Sequence, residues 1–219
     1  MTMEINPKVF VAELVGTFAL VFIGTGIAAM KGDALAVALG FGLTLAAFIY
    51  VYGDISGTHL NPAVTFGMAL SGAISWVEAV VYWIAQFLGG ILATALLYFL
   101  LGGAKSGLGS TVLAHDVTPL QGLIVEAVLT FFLVSAVLHL VLSESGGNAA
   151  GLVIGLTLTF GVLMGFPLTG GSLNPARSFG PAIFTGTIDQ FWVYLIGPLA
   201  GAAAAVGLFK FLGVNENTK

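Results

Sequence analysis

The chain has 219 residues, 58% of them hydrophobic and only 7% charged, with a formal net charge of -4. Soluble domains carry about a quarter charged residues, so an ordinary soluble enzyme is excluded. The small acidic balance excludes nucleic acid or a polybasic lipid patch, and the lack of cysteine excludes disulfides and thiolate metal sites.

In chain order, the first apolar run, Val9–Met30, lacks a basic leader and a clear cleavage site. It is expected to be a membrane span and not a signal peptide. Further spans are expected at Ala34–Tyr52, Trp76–Leu101, Leu120–Leu142, Ala149–Phe166 and Phe191–Leu212. Four stretches carry no Asp, Glu, Lys or Arg: Ala34–Gly53, Ala79–Ala104, Ser145–Ala176 and Gln190–Phe209. Each reaches the ~20 residues that cross a hydrocarbon core. Charge collects in the connectors, at Lys31, Asp33, Lys105, Asp116, Glu144 and Asp189, and Gly102–Pro119 is the longest polar connector. The termini, Met1–Pro7 and Gly213–Lys219, show no clear regulatory motif.

Two pieces between the spans read differently. Ser56-Gly57 leads to Leu60-Asn61-Pro62-Ala63, and Gly170-Gly171-Ser172 leads to Leu173-Asn174-Pro175-Ala176. Asn-Pro in a soluble loop is an ordinary turn. Two copies in one register, inside apolar sequence, predict half-helices at Asn61–Leu70 and Asn174–Phe184, each ~15 Å long and half a bilayer core deep. Pro62 and Pro175 suit the first helical position, where no backbone N–H is needed. Asn61 and Asn174 become N-caps whose oxygens accept first-turn amides, leaving their NH2 groups free for a lumen. Ala63 and Ala176 are small enough for the two tips to meet. The irregular strands Gly57–Leu60 and Gly170–Leu173 belong where backbone lines a wet cavity. Two helix N-termini, each with roughly half a positive charge, repel cations including hydronium.

The chain reads as an internal duplication. Glu13 and Glu126, Thr17 and Thr130, Gly42-Leu43-Thr44 and Gly155-Leu156-Thr157, and Asn61 and Asn174 are all 113 residues apart; Tyr82 and Tyr194, and Gly89 and Gly201, are 112 apart. We therefore expect one channel domain, 1–219, built from a first repeat, 1–108, and a second, 109–219. Three spans separate the starts of the halves, so the second enters the membrane inverted. With both termini cytoplasmic, Lys8, Lys210 and Lys219 lie inside against Lys31 and Lys105 outside, in the sense of the positive-inside preference.

Several polar residues stand inside apolar sequence. Arg177 is the one basic residue of its run, and an ionisable group there costs ~2.5–3.5 kcal/mol unless it faces water or a partner. Glu13 and Glu126 allow two readings: a proton relay or coupling-ion site, or acceptors for N–H groups of the irregular strands. Their symmetric placement favours the second. His59, two residues before Asn61, reads as lumen wall or as a pH-sensitive gate. His139 has no visible partner, and His115 falls in a polar connector. Trp76, Trp83 and Trp192 read as interfacial anchors. No nucleophile–base pair or metal constellation suggests an enzyme, and no cofactor is expected.

Three blocks resemble the aquaporin, or major intrinsic protein, family: Ala12-Glu13-Leu14-Val15-Gly16-Thr17-Phe18, Ser56 to Thr65, and Gly171 to Pro181. The resemblance implies an all-α membrane protein, with six transmembrane helices plus two re-entrant half-helices in a right-handed bundle. It also implies a homotetramer in the plasma membrane, with one pore per subunit passing water and small neutral solutes. Proton exclusion at half-helix ends is a general property of aquaporin-type pores. By resemblance, Arg177 lies at the outer constriction, and spacing from the motifs puts Phe41, Val162 and Gly171 beside it. Val162 stands where water channels usually have His, and Gly171 is smaller than the usual occupant. Phe41 differs from the Trp common in glycerol channels, Ser178 replaces their Asp, and Leu195 falls where water-selective members often have Trp. The expectation is a passive water channel that leaks glycerol or small uncharged gases. The alternative is an ion-coupled secondary transporter, which also uses inverted repeats and broken helices. It would need more titratable groups near the midplane than Glu13 and Glu126.

Overall fold

Capping signals in the sequence set where each helix begins. Asn6 caps Pro7 at the first turn, accepting from the Lys8 amide at 3.0 Å, and Asp33 accepts from the Ala36 amide at 2.8 Å. Ser75 with Glu78, and Thr118 with Gln121, form reciprocal capping boxes. The computed structural model describes residues 6–143 and 145–213. The expectations for Glu144 and Lys219, and for nearly all of both termini, lie outside these residues.

Among the described residues, six helices are long and apolar enough to cross a membrane. These are α1 (Pro7–Ala29), α2 (Ala34–Ser56), α4 (Trp76–Leu100), α5 (Pro119–Leu142), α6 (Gly147–Thr169) and α8 (Ile188–Phe211). Two shorter helices interrupt the series: α3 (Pro62–Ser71) and α7 (Pro175–Thr185). At ~1.5 Å per residue neither can span ~30 Å of hydrocarbon. α2 and α6 run further than their hydropathy suggests, to Ser56 and Thr169, because Gly57 and Gly170 close them in left-handed caps with φ 76° and 82°. Pro167 does not end α6. α1 and α5 each contain a π-helical turn, at Val21–Thr25 and Leu138–Leu142.

Close helix crossings use glycines at matched positions. A Cβ on Gly42 of α2 would fall 2.5 Å from the Gly155 carbonyl oxygen of α6, and one on Gly155 would strike the Gly42 carbonyl in return. Gly89 of α4 meets the Leu14 carbonyl of α1 in the same way, and Gly201 of α8 meets that of Ala127 on α5. Small residues let backbones approach this closely where lipid supplies no hydrophobic drive.

The connector between α4 and α5 is no free linker. Leu108 is fully buried, the Ala114 amide donates to the Leu168 carbonyl at 2.9 Å, and Leu113 is held by Gln190. His115 at its edge is exposed beside Asp116. His139 has a partner after all: its Nδ1 lies 2.8 Å from the Ser135 carbonyl and its ring meets Phe209 edge-on. Trp76 and Trp192 are about half exposed at helix starts, but Trp83 sits deeper, donating to the Pro62 carbonyl at 3.1 Å.

Candidate functional site

The two strands before the half-helices adopt the same unusual backbone. Gly57, Thr58 and Leu60 have φ of 76°, 53° and 48°; Gly170, Gly171 and Leu173 have 82°, 58° and 54°. Positive φ is uncommon for Leu and Thr, so something must hold these turns. Glu13 does so in the first half. It accepts from Ser56 Oγ at 2.7 Å, the His59 amide at 2.9 Å, the Leu60 amide at 2.8 Å and Gln86 Nε2 at 2.8 Å. Glu126 accepts from Thr169 Oγ1 at 2.6 Å and from the amides of Ser172 and Leu173 at 3.0 and 2.8 Å. Both carboxylates are fully buried. Tyr82 and Tyr194 brace the helix ends by donating to the carbonyls of Ser56 and Thr169.

The tips of α3 and α7 meet through their asparagines. Asn61 Oδ1 accepts from the Ala63 amide at 2.9 Å, while Asn174 Oδ1 accepts from the Ala176 and Arg177 amides at 3.0 and 3.2 Å. Their NH2 groups are not free, as the sequence reading had them. Asn61 Nδ2 donates to the Leu173 carbonyl at 2.7 Å, and Asn174 Nδ2 to the Leu60 carbonyl at 2.8 Å. Each amide thus spends one hydrogen bracing the opposite half and keeps one. Ala63 and Ala176 are fully buried at the junction.

A narrow cavity of about 40 Å³ runs past both asparagines. At the ~10–15 Å³ that one water's centre needs, it has room for only a few water molecules. Its walls are mixed. Thr58, His59, Asn61, Ser172, Asn174 and Arg177 supply polar groups from the two re-entrant segments. The helices add apolar groups, among them Leu20, Phe41, Leu45, Leu133 and Leu158.

A second, broader cavity of about 370 Å³ is lined by the α4–α5 connector, Phe166, Gly170 and Arg177. Arg177 faces both cavities. It is 2% exposed, donates from Nη1 to the Gly109 carbonyl at 2.8 Å, and has its Cζ 4.9 Å from the Phe41 ring centroid. Its Nε is buried without a partner among the described residues. Val162 and Gly171 sit against each other: a Cβ on Gly171 would lie 2.9 Å from the Val162 carbonyl oxygen. Neither lines the cavities themselves. Gly109 was not anticipated; an apolar Leu108 within a glycine-rich connector is the one sequence sign that the segment folds inward.

No group of His, Cys, Asp and Glu among the described residues could hold a metal ion. The model of the major intrinsic protein family matches residues 2–209. The chain is 43% identical to glycerol uptake facilitator protein-like 6 of Lactiplantibacillus plantarum, over 94% of this chain and 99% of that protein. It is 39% identical to aquaporin-1 of Mus musculus, over 97% and 86% of the two chains. The X-ray structure of the aquaglyceroporin from Plasmodium falciparum superimposes with a TM-score of 0.83 at 27% identity, covering 93% of this chain and 95% of that one.

Proposed function

The chain belongs to the major intrinsic protein family, and from that premise we propose that it conducts water in single file, leaks glycerol, and excludes ions and protons. It is an integral membrane protein with six spans and a passive water- and glycerol-type channel, not an enzyme. The observation that carries the selectivity reading is the pair of asparagines on one narrow cavity, each with a single N–H left for a passing oxygen. Two half-helix N-termini point there as well, and cations are repelled by both.

We assign the constriction to Phe41, Val162, Gly171 and Arg177, His59 to the inner wall, and Glu13 and Glu126 to support of the half-helices. Val at 162, where water channels usually have His, puts no imidazole at this constriction, which suits a small polyol. Similarity to a protein named a glycerol uptake facilitator supports this reading. The transporter alternative needs a carboxylate free to exchange protons or ions. Glu13 and Glu126 instead already accept four and three hydrogen bonds.

The repeated backbone angles, carboxylate clusters and tyrosine braces support two inverted repeats, 1–108 and 109–219. We further propose a homotetramer in the plasma membrane with both termini cytoplasmic, which puts Lys8 and Lys210 inside.

Purified protein in liposomes tests the function. Under an osmotic gradient, stopped-flow light scattering is expected to show accelerated shrinkage, and an enclosed pH dye no proton current. Shrinkage no faster than that of empty liposomes would refute the proposal. Swelling in an inward glycerol gradient reads the leak.

A further inference from the structure

We infer that Gln86, acting through Thr65, holds His59 in the tautomer that carries its hydrogen on Nε2, so that the lumen wall beside Asn61 presents a further donor. This rests on the channel reading and adds a positioning residue to it.

Glu13 accepts from two backbone amides and a hydroxyl, and taken as a carboxylate it offers acceptors alone. The Gln86 atom 2.8 Å from it must therefore be the NH2, since a carbonyl oxygen there would face another acceptor. The second hydrogen of that NH2 goes to Thr65 Oγ1, also at 2.8 Å. Thr65 is fully buried, and its hydroxyl has one further partner among the described residues, His59 Nδ1 at 3.0 Å. Having accepted from Gln86, the hydroxyl donates to Nδ1, which is then bare. Hydrogen on Nδ1 would leave the threonine hydrogen without an acceptor in a dry site.

Nε2 makes no hydrogen bond to any described residue. It lies toward Gly57, which lines the same cavity as His59. The Tyr82 ring packs at 4.7 Å against the imidazole and limits its rotation. A water that has accepted from Asn61 thus meets another donor next. It turns its hydrogens away from the wall, which keeps the file polarised in the sense the half-helix ends impose. The second half has a chain of the same direction, from Thr111 through Ser178 to Ser172, but it ends on the Asn174 carbonyl at 3.0 Å and adds no donor. The asymmetry confines the extra N–H to the His59 side.

Solid-state 15N NMR of histidine-labelled protein in liposomes tests this. Substituting His115→Gln and His139→Gln leaves His59 as the single signal. We expect the Nε2–H form to exceed the other by about tenfold or more, the ratio an unmade buried hydrogen bond commands. Gln86→Leu frees the Thr65 oxygen to accept from Nδ1–H, and Thr65→Val removes the acceptor's donor; both are expected to produce a mixture of tautomers. Thr65→Ser is expected to keep the parent spectrum. A dominant Nδ1–H form in the parent protein, or an unchanged spectrum in both Gln86→Leu and Thr65→Val, overturns the inference. Osmotic flux through the same liposomes reads the channel function separately, so normal flux with the wrong tautomer refutes this inference alone.

Discussion

At Gly171 the width of the proposed filter is a property of backbone and not of a missing side chain. Its φ is 58°, and any Cβ there meets the Val162 carbonyl oxygen at 2.9 Å and Val162 Cα at 3.0 Å. Gly171→Ala is therefore expected to cost about 1–3 kcal/mol of strain, visible as a lower melting temperature in detergent. Narrowing is better attempted at the neighbouring position alone. Val162→His is expected to cut glycerol-driven swelling severalfold while osmotic water flux persists; equal swelling would move the constriction elsewhere. Arg177 raises a different question, because its guanidinium is buried beside one carbonyl and one aromatic face. A unit charge ~8 Å away at an effective dielectric of ~20 is worth ~2 kcal/mol. Arg177→Leu should then raise cation or proton leak by tens of fold, measured with a pH dye under a potassium diffusion potential. An unchanged leak would leave exclusion to the half-helix ends.

Among the elements, the half-helices depend on groups outside themselves. A ten- or eleven-residue helix is marginal alone in water. Here the caps, the carboxylate clusters and the crossed asparagine bonds fix where each begins. The caps are unequal: Asn174 accepts from two amides and Asn61 from one. Losing a cap costs about 1–2 kcal/mol, and an orphaned buried carbonyl about 1–3 kcal/mol more. Asn174→Ala is thus expected to lower the thermal unfolding midpoint further than Asn61→Ala. The opposite order would mean that the Leu173 bond, not the cap, dominates. The cap role was legible from Asn before Pro, because capping is local. The reciprocal bonds to Leu60 and Leu173 were not, since each joins residues more than a hundred positions apart.

Across the whole molecule, helices cross at glycines that leave no room for a methyl group. Gly201→Ala places a Cβ against the Ala127 carbonyl and is expected to force α5 and α8 apart, at a cost of about 1–3 kcal/mol or more; a calorimetric scan checks it. Outward faces keep large apolar side chains such as Leu43 and Leu156, about half exposed, available for lipid or for neighbouring copies. Native mass spectrometry that finds only monomers would overturn the tetramer. By itself the sequence determined six spans, the two broken helices and their caps, because hydropathy, proline and N-cap chemistry act within a few residues. It misjudged where α2 and α6 end, as hydropathy falls before the glycine cap does its work. It missed the inward fold of Gly109 and the partner of His139 for another reason. Which carbonyl a guanidinium finds, how many asparagine hydrogens remain for the lumen, and which imidazole nitrogen is bare depend on distant segments arriving within 3 Å. Only the packed tertiary structure decides that.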